Sequence, residues 1–151
     1  MVDLNIIERA DLPSGWLPQM KAYAAVADDA QDSLLNALLV KACLRVQEVA
    51  NKSLIPCTIE LREDDIEDDV VRLYQTVSEI VSVNAPAGHR LYWEYRSNGL
   101  RVYDRSAVVV YRTEPRPADI DNLLPIVFQY ATALYDGQDT KSLTNILKQC
   151  Q

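Results

Sequence analysis

The stretch SLLNALLVKACLRVQEVANKSLIPCTIEL, residues 33–61, decides the fold. Its apolar residues recur at the three- and four-residue spacing of an amphipathic helix, and they are Leu35, Leu38, Leu39, Ala42, Val46, Val49 and Ala50. Residues 51–53 interrupt this pattern, and Pro56 cannot continue a helix because proline has no amide hydrogen. The strand-forming run 58–61 follows. The stretch therefore predicts a long helix, over about Asp29–Asn51, that breaks sharply and leads into a strand.

The same patterns predict further elements on both sides of this stretch. Three more helices are expected, over Leu17–Val26, from Asp121 or Asn122 to Tyr135, and over Thr140–Gln149. Six short strands are expected, over Thr58–Arg62, Val70–Tyr74, Ile80–Val83, Leu91–Tyr95, Leu100–Tyr103 and Val108–Arg112. Asn98-Gly99 predicts a hairpin of the fourth strand with the fifth, and the sixth is expected as a third strand of an antiparallel meander. The predicted class is α+β, mainly a helical bundle with this inserted β-hairpin or meander.

Length and composition restrict the class of protein to which the chain can belong. With 151 residues, 48% of them hydrophobic, the chain is long enough to bury a core without metals or disulfides. We expect a flexible N-terminal arm over residues 1–16 and a single domain over 17–151. No stretch of about 20 apolar residues suggests a membrane span, and residues 1–10 lack the apolar core of a signal peptide. The three cysteines, at irregular spacing, predict free thiols in a reducing cytoplasm.

Charge is unevenly distributed along the chain. The net charge is −7, which does not favour a protein that grips nucleic acid over its whole surface. Residues 63–69, hereafter the acidic segment, carry the carboxylates of Glu63, Asp64, Asp65, Glu67, Asp68 and Asp69. Residues 90–116, hereafter the arginine segment, carry Arg90, Arg96, Arg101, Arg105, Arg112 and Arg116. Two patches of opposite charge are suited to contacts between copies of one chain, head to tail.

Aromatic residues interleave with these arginines. Tyr92, Trp93, Tyr95, Tyr103 and Tyr111 all lie in the arginine segment. Arginine, tyrosine and tryptophan dominate the hot spots of protein interfaces, they also stack on single-stranded nucleic acid, and they can simply cover a small core. The net negative charge of the chain makes binding to nucleic acid the least favoured of these three roles. The interface residues predicted here are Arg96, Arg101, Arg105, Trp93 and Tyr103, together with Glu63, Asp64, Asp65, Glu67 and Asp68 of the acidic segment.

Signals of catalysis are sparse. His89 is the only histidine and falls in a predicted turn, with no nucleophile motif to accompany it. The acidic segment could bind a divalent cation, but it lacks the alternating ligands and central glycine of a calcium loop. The sequence holds four glycines, and they form no phosphate-binding loop. We therefore expect a protein that is not an enzyme and uses no cofactor or metal.

Four segments resemble the head–tail connector, or head-completion adaptor, proteins of long-tailed double-stranded DNA phages and prophages. These segments are LPQMKAY (17–23), DDAQDSLL (28–35), NKSLIPCT (51–58) and VRLYQTVSEIVSV (71–83). A late β segment ending at Tyr111 and a helix ending Ala133-Leu134-Tyr135 complete the likeness. It spans roughly residues 17–137. Thr76-Val77 departs from the proline-valine common at the kink of that family, and Arg112-Thr113-Glu114 replaces a common glycine.

This resemblance implies a structural role in the neck of a virion, after assembly in the host cytoplasm. Copies would form a ring, of about a dozen in the resembled family, on the portal protein. The ring would extend the DNA channel, with DNA only as passing cargo, and would dock a tail-side completion protein; no membrane is involved. Other interpretations remain open at this stage. They are another phage structural component, such as a tail-completion or stopper protein, or a small nucleic-acid-contacting or ligand-binding domain.

Overall fold

The structure, a computed structural model, describes residues 1–150. Its helices are α1 (Trp16–Tyr23), α2 (Asp32–Ala50), α3 (Pro117–Tyr135) and α4 (Lys141–Lys148). Its strands are β1 (Val2–Arg9), β2 (Cys57–Glu63), β3 (Val70–Val71), β4 (Val77–Asn84), β5 (Trp93–Arg96), β6 (Gly99–Val102) and β7 (Ala107–Thr113). The chain is 36% helical and 27% strand, with two antiparallel sheets. The predicted mainly helical bundle with an inserted meander is therefore wrong, because strands make up far more of the fold than one insertion would.

The chain groups into two compact units. A β unit comprises residues 1–10 and 55–114, and a helical unit comprises residues 11–54 and those from 115 onward. The β unit thus includes β1, which lies within the segment predicted as a flexible arm. The flexibility of residues 1–16 and the single domain over 17–151 both stay predictions.

A four-stranded antiparallel sheet forms the larger part of the β unit. Its strand order is β1-β2-β7-β4. One face carries Ile59 and Leu61 of β2 beside Tyr111 and Val109 of β7, and all four side chains are buried. The alternation of buried and more exposed residues along β2 and β7 follows from the two-residue period of a strand.

The second sheet has three strands in the order β3-β6-β5. The predicted hairpin is confirmed: β5 pairs with β6, with Arg96 opposite Gly99 and a turn at residues 97–98. The predicted third strand of the meander is wrong, since β7 lies between β2 and β4 in the other sheet. Gly99 has a φ of +150°, and a Cβ there would lie 2.1 Å from the carbonyl oxygen of Val71. Only glycine lets β3 approach the hairpin this closely.

The helical unit is built on α2, which confirms the long predicted helix. Asn51 ends α2 in the left-handed conformation, with φ +54°, a conformation that asparagine tolerates well. Next to it, the buried Gln47 side chain accepts a hydrogen bond from the amide of Leu54 at 2.8 Å. The third helix starts earlier than predicted, because Pro117 occupies its first turn and Pro125 falls inside it. Among the described helices, none has the length and apolarity to cross a membrane.

Candidate assembly surface

The β5–β6 hairpin and the residues beside it form two pairs of aromatic rings that are exposed to solvent. Tyr92, Tyr95 and Tyr103 are 69%, 63% and 56% exposed. The rings of Tyr92 and Tyr103 stack with centroids 6.3 Å apart, and Trp93 meets Tyr95 edge to face at 5.0 Å. Large aromatic side chains left exposed as a group mark interaction surfaces more often than single exposed residues do.

The Glu94 side chain forms two hydrogen bonds with neighbouring side chains on the same strand segment. Its carboxylate accepts a hydrogen bond from the Tyr92 hydroxyl at 2.9 Å and one from Nη2 of Arg96 at 2.7 Å. The bond to Glu94 raises the pKa of Tyr92, because it stabilises the protonated phenol beside a carboxylate. One acidic residue therefore holds a tyrosine and an arginine in place on the outer strand of the sheet.

Arg101 lies on β6, and its guanidinium carbon sits 5.0 Å from the centroid of the Tyr103 ring. This is a cation–π contact, which favours a fixed arginine orientation. Within residues 1–150, the buried Nε of Arg101 has no hydrogen-bond acceptor. A buried donor of this kind is costly to leave unpaired.

Cavities flank Trp93. One has a volume of about 360 Å³ and is lined by residues 81–84 with Arg90 and Trp93. Another, of about 390 Å³, is lined by residues 90–93. Both lie within the β unit. Both are open to solvent, so neither is an enclosed cavity.

The acidic segment is fastened to the arginine segment of the same chain. Nε of Arg105 donates to Oδ1 of Asp65 at 2.7 Å. The amide of Ile66 donates to the carbonyl of Arg105 at 2.8 Å, and the amide of Val102 donates to the carbonyl of Asp69 at 2.8 Å. Asp65, Asp68 and Asp69 all have positive φ, which aspartate tolerates better than most residues. The acidic segment is thus a loop of defined conformation that is hydrogen-bonded to β6 and to the residues that follow it.

The structure therefore brings all of the predicted interface residues into one unit. Trp93 and Arg96 lie on β5, Arg101 lies on β6, and Tyr103 and Arg105 follow β6 directly. Glu63 ends β2, while Asp64, Asp65, Glu67 and Asp68 form the loop after it. Burial raises the pKa of Glu63, and the neighbouring Glu67 adds to this effect. Their role as interface residues stays a prediction.

Two groups of exposed residues lie outside the predicted interface set. Tyr92 and Tyr95 are more exposed than Tyr103, and each stacks on or meets a predicted interface residue, Tyr92 on Tyr103 and Tyr95 against Trp93. The exposed apolar residues of β1 were missed altogether. The alternation of Val2, Leu4 and Ile6 with polar residues was the signal that could have identified that strand.

Other groups that could carry chemistry are scattered. His89 lies in a turn, where its carbonyl accepts from the amide of Ala85 at 2.8 Å. Among residues 1–150, no group of three histidine, cysteine or acidic side chains could hold a metal ion. Cys43 and Cys57 are buried, Cys150 is exposed, and none of the three forms a disulfide.

Comparison with solved structures finds the same fold in phage-like particles. A chain in a structure described as the neck of an empty gene transfer agent particle, computed with C6 symmetry, has a TM-score of 0.65 and 16% identity. The match covers 97% of this chain and 95% of that chain. A chain in the virion of a native gene transfer agent particle has a TM-score of 0.64 and 15% identity, covering 88% of this chain and 84% of that chain. At such identity, the comparisons establish a shared fold.

Sequence comparisons add no relative to this. No protein-family model matches the chain, and no curated protein matches it either. Among these comparisons, therefore, only those of structure relate the chain to components of such particles.

Proposed function

We propose that this chain is a structural subunit of the neck of a phage-like particle, not an enzyme, and that its copies assemble into a ring. The observation that carries the proposal is the fold match to a chain of a particle neck, which extends over 97% of this chain and 95% of the other. This match supports a role as a structural component of a virion.

The finer proposal is that the ring acts as a head–tail connector. It would sit on the portal protein, extend the DNA channel and dock a tail-side completion protein. Its support is the series of four sequence segments that resemble adaptor proteins, in the right order along residues 17–83. The net charge of −7 suits a conduit, since an acidic protein does not hold DNA through its phosphates.

Ring closure in this proposal requires a heterologous interface, in which two different patches of each copy meet. The exposed hairpin supplies one patch. The structurally similar neck was computed with C6 symmetry, which is a property of that particle. The sequence resemblance implies about a dozen copies in a ring, and twelve is a multiple of six.

Electron microscopy of the purified chain, alone and mixed with its portal protein, tests the function. We expect closed rings, stacked coaxially on the portal. A chain that stays monomeric in both samples contradicts the ring, and a ring that binds only tail components favours a tail-completion role. A DNA affinity that falls steeply with salt would instead favour a nucleic-acid-binding domain.

A further inference from the structure

The apolar face of the four-stranded sheet continues onto β1 without being covered. Leu4 pairs with Leu61 and Ile6 pairs with Ile59, so each pair points to the same face of the sheet. Leu61 and Ile59 are 0% and 2% exposed, whereas Leu4 and Ile6 are 43% and 37% exposed. The apolar row of the core therefore extends by one strand beyond the part that is buried.

The backbone of β1 is also open to another strand. β1 is the outer strand of its sheet and pairs on one side only, with β2. Its register has one irregularity, between Ile6 and Glu8. Residues 2–6 lie before that irregularity and carry one charged side chain, Asp3, and over them the strand offers its outer amides and carbonyls to further pairing.

The opposite edge of the same sheet is protected. The register of β4 has two irregularities, which make an edge a poor template. The amide of Leu91 donates to the carbonyl of Val83 at 2.9 Å, and Asn84 is bridged to Arg90. The two outer strands therefore differ. The edge of β4 is irregular and partly covered, whereas the edge of β1 is open to pairing with another strand.

Charge indicates what that partner carries. The start of β1 lies beside the acidic segment, since Val2 pairs with Glu63 and the amide of Asp64 donates to the carbonyl of Met1 at 3.1 Å. Of the six carboxylates of the acidic segment, Asp65 is the only one in a salt bridge among the described residues. The fitting partner is a strand with free backbone, apolar or aromatic side chains, and positive charge.

The β5–β6 hairpin has each of these properties. β5 is the outer strand of its own sheet and exposes Tyr95. Residues 93–102 carry two arginines, Arg96 and Arg101, against one carboxylate, Glu94, which is paired with Arg96, so the hairpin keeps a net positive charge. Every copy of the chain therefore holds both halves of a complementary contact. We propose that the outer edge of β1 in one copy receives the β5–β6 hairpin of the next copy. This inference rests on the proposed ring and names the surfaces that close it.

Two variants, each defective on one side only, test this pairing. L4K/I6K places charge on the β1 edge, and Y95E/R96E makes the hairpin repel the acidic segment. We expect each variant alone to be monomeric in analytical ultracentrifugation, at concentrations at which the wild type forms rings. An equimolar mixture should form a 1:1 heterodimer that grows no further, because it retains one intact β1 edge and one intact hairpin. L34K is the control, since Leu34 is a 50% exposed apolar residue on α2, outside the candidate assembly surface, and it should form rings.

The outcomes separate this inference from the proposed function. Rings formed by L4K/I6K, a mixture without heterodimer, or homodimers of Y95E/R96E through β1 would each overturn the pairing while leaving the ring intact. A wild type that forms no ring, free or on its portal, would instead contradict the proposed function. Circular dichroism and thermal unfolding confirm that the variants are folded.

A cross-linking experiment gives a second readout that needs no disruptive change. In a C150S background, an I6C chain is mixed with a Y95C chain under conditions in which the wild type assembles. We expect a short thiol cross-linker to join the two chains into a covalent heterodimer. Chains that assemble but do not cross-link would overturn the proposed pairing.

Discussion

Nε of Arg105 donates a hydrogen bond to Oδ1 of Asp65 at 2.7 Å, across 40 positions of the sequence. This bond joins, within one chain, the two segments of opposite charge that the sequence analysis assigned to contacts between copies. The arginine and acidic segments are therefore neighbours before any assembly. Their remaining unpaired charges, rather than their full charge, are what a second copy meets.

Reversing the charge at Arg105 should weaken assembly with little effect on folding. Both partners of the Arg105–Asp65 pair are exposed, and an exposed ion pair contributes less than about 1 kcal/mol to the free energy of unfolding. We expect R105E to unfold in urea close to the wild type, while its rings dissociate at a higher protein concentration, because a glutamate at this position repels Asp65 and displaces the acidic segment from its place beside β6. Sedimentation at several concentrations measures this.

The matched control for that prediction is R112E. Arg112 makes a similar exposed salt bridge, with Nη1 2.8 Å from Oε2 of Glu79, but it lies on β7, away from the hairpin. The R112E variant should therefore assemble as the wild type does. Equal losses of assembly in both variants would show that any added negative charge weakens the ring.

Substitution of Gly99 should destabilise the β unit strongly. In G99A the new Cβ would lie 2.1 Å from the carbonyl oxygen of Val71, on a residue whose φ is +150°. Strain and overlap together should lower the free energy of unfolding by roughly 3 kcal/mol or more. Urea denaturation measures the loss.

Gly88 separates the two causes of that loss. It also has a positive φ, +105°, but a Cβ there would meet no atom within 4 Å. G88A should therefore lose only the backbone term, on the order of 1 kcal/mol. If G99A were no worse than G88A, the close approach of β3 to the hairpin would be wrong.

Tyr111 makes the stability of the β unit sensitive to high pH. Its hydroxyl donates to the carbonyl of Tyr74 at 3.2 Å and accepts from the amide of Tyr74 at 3.3 Å. Burial raises the pKa of Tyr111 to about 12, from an ordinary value of 10.0. Between these two pH values the unfolded chain has lost the proton that the folded chain still holds, so stability falls as the pH rises.

The expected loss on going from pH 10 to pH 12 is on the order of 2–3 kcal/mol from this residue. Urea unfolding at a series of alkaline pH values measures it. Y111F should be less stable at neutral pH by about 1–3 kcal/mol, because Tyr74 loses its partner. It should also lose stability less steeply with pH, and an unchanged slope would show that the tyrosine does not titrate in this way.

The side chain of Gln47 should stabilise the turn that follows α2. Its buried side chain accepts from the amide of Leu54 at 2.8 Å, and removal of the acceptor leaves a buried amide that costs about 1–3 kcal/mol. We expect Q47L to unfold at a correspondingly lower urea concentration. E48L, at the exposed neighbouring position of the same helix, should change stability little. Similar losses in both would argue against the role of the hydrogen bond.

The helices and the hairpin could be read from the sequence because their signals are local. The apolar spacing of residues 35–50 gives α2, and Asn98-Gly99 gives the turn between β5 and β6. Partners distant in sequence could not be read in this way. β7 pairs with β2 and β4 and not with its neighbour β6, and the run Val108-Val109-Val110 suits a strand flanked on both sides without saying by which strands.

The candidate site was predicted in its charges but not in its extent. The arginines, acidic residues and Trp93 were identifiable because such residues concentrate in interfaces. β1 was not predicted because an exposed strand gives only a short alternating pattern, and the polar residues Asp3 and Asn5 favoured a flexible arm over residues 1–16. That Arg105 would bind Asp65 of the same chain depends on the loop conformation at Asp65, Asp68 and Asp69, which residue types alone do not fix.

The central claim is that the chain is a ring-forming neck subunit, and electron cryomicroscopy of the chain bound to its portal protein tests it most directly. The account predicts a closed ring, coaxial with the portal, in which the hairpin of each copy touches the β1 edge of its neighbour. Single copies scattered over the portal surface, or no binding at all, would contradict it.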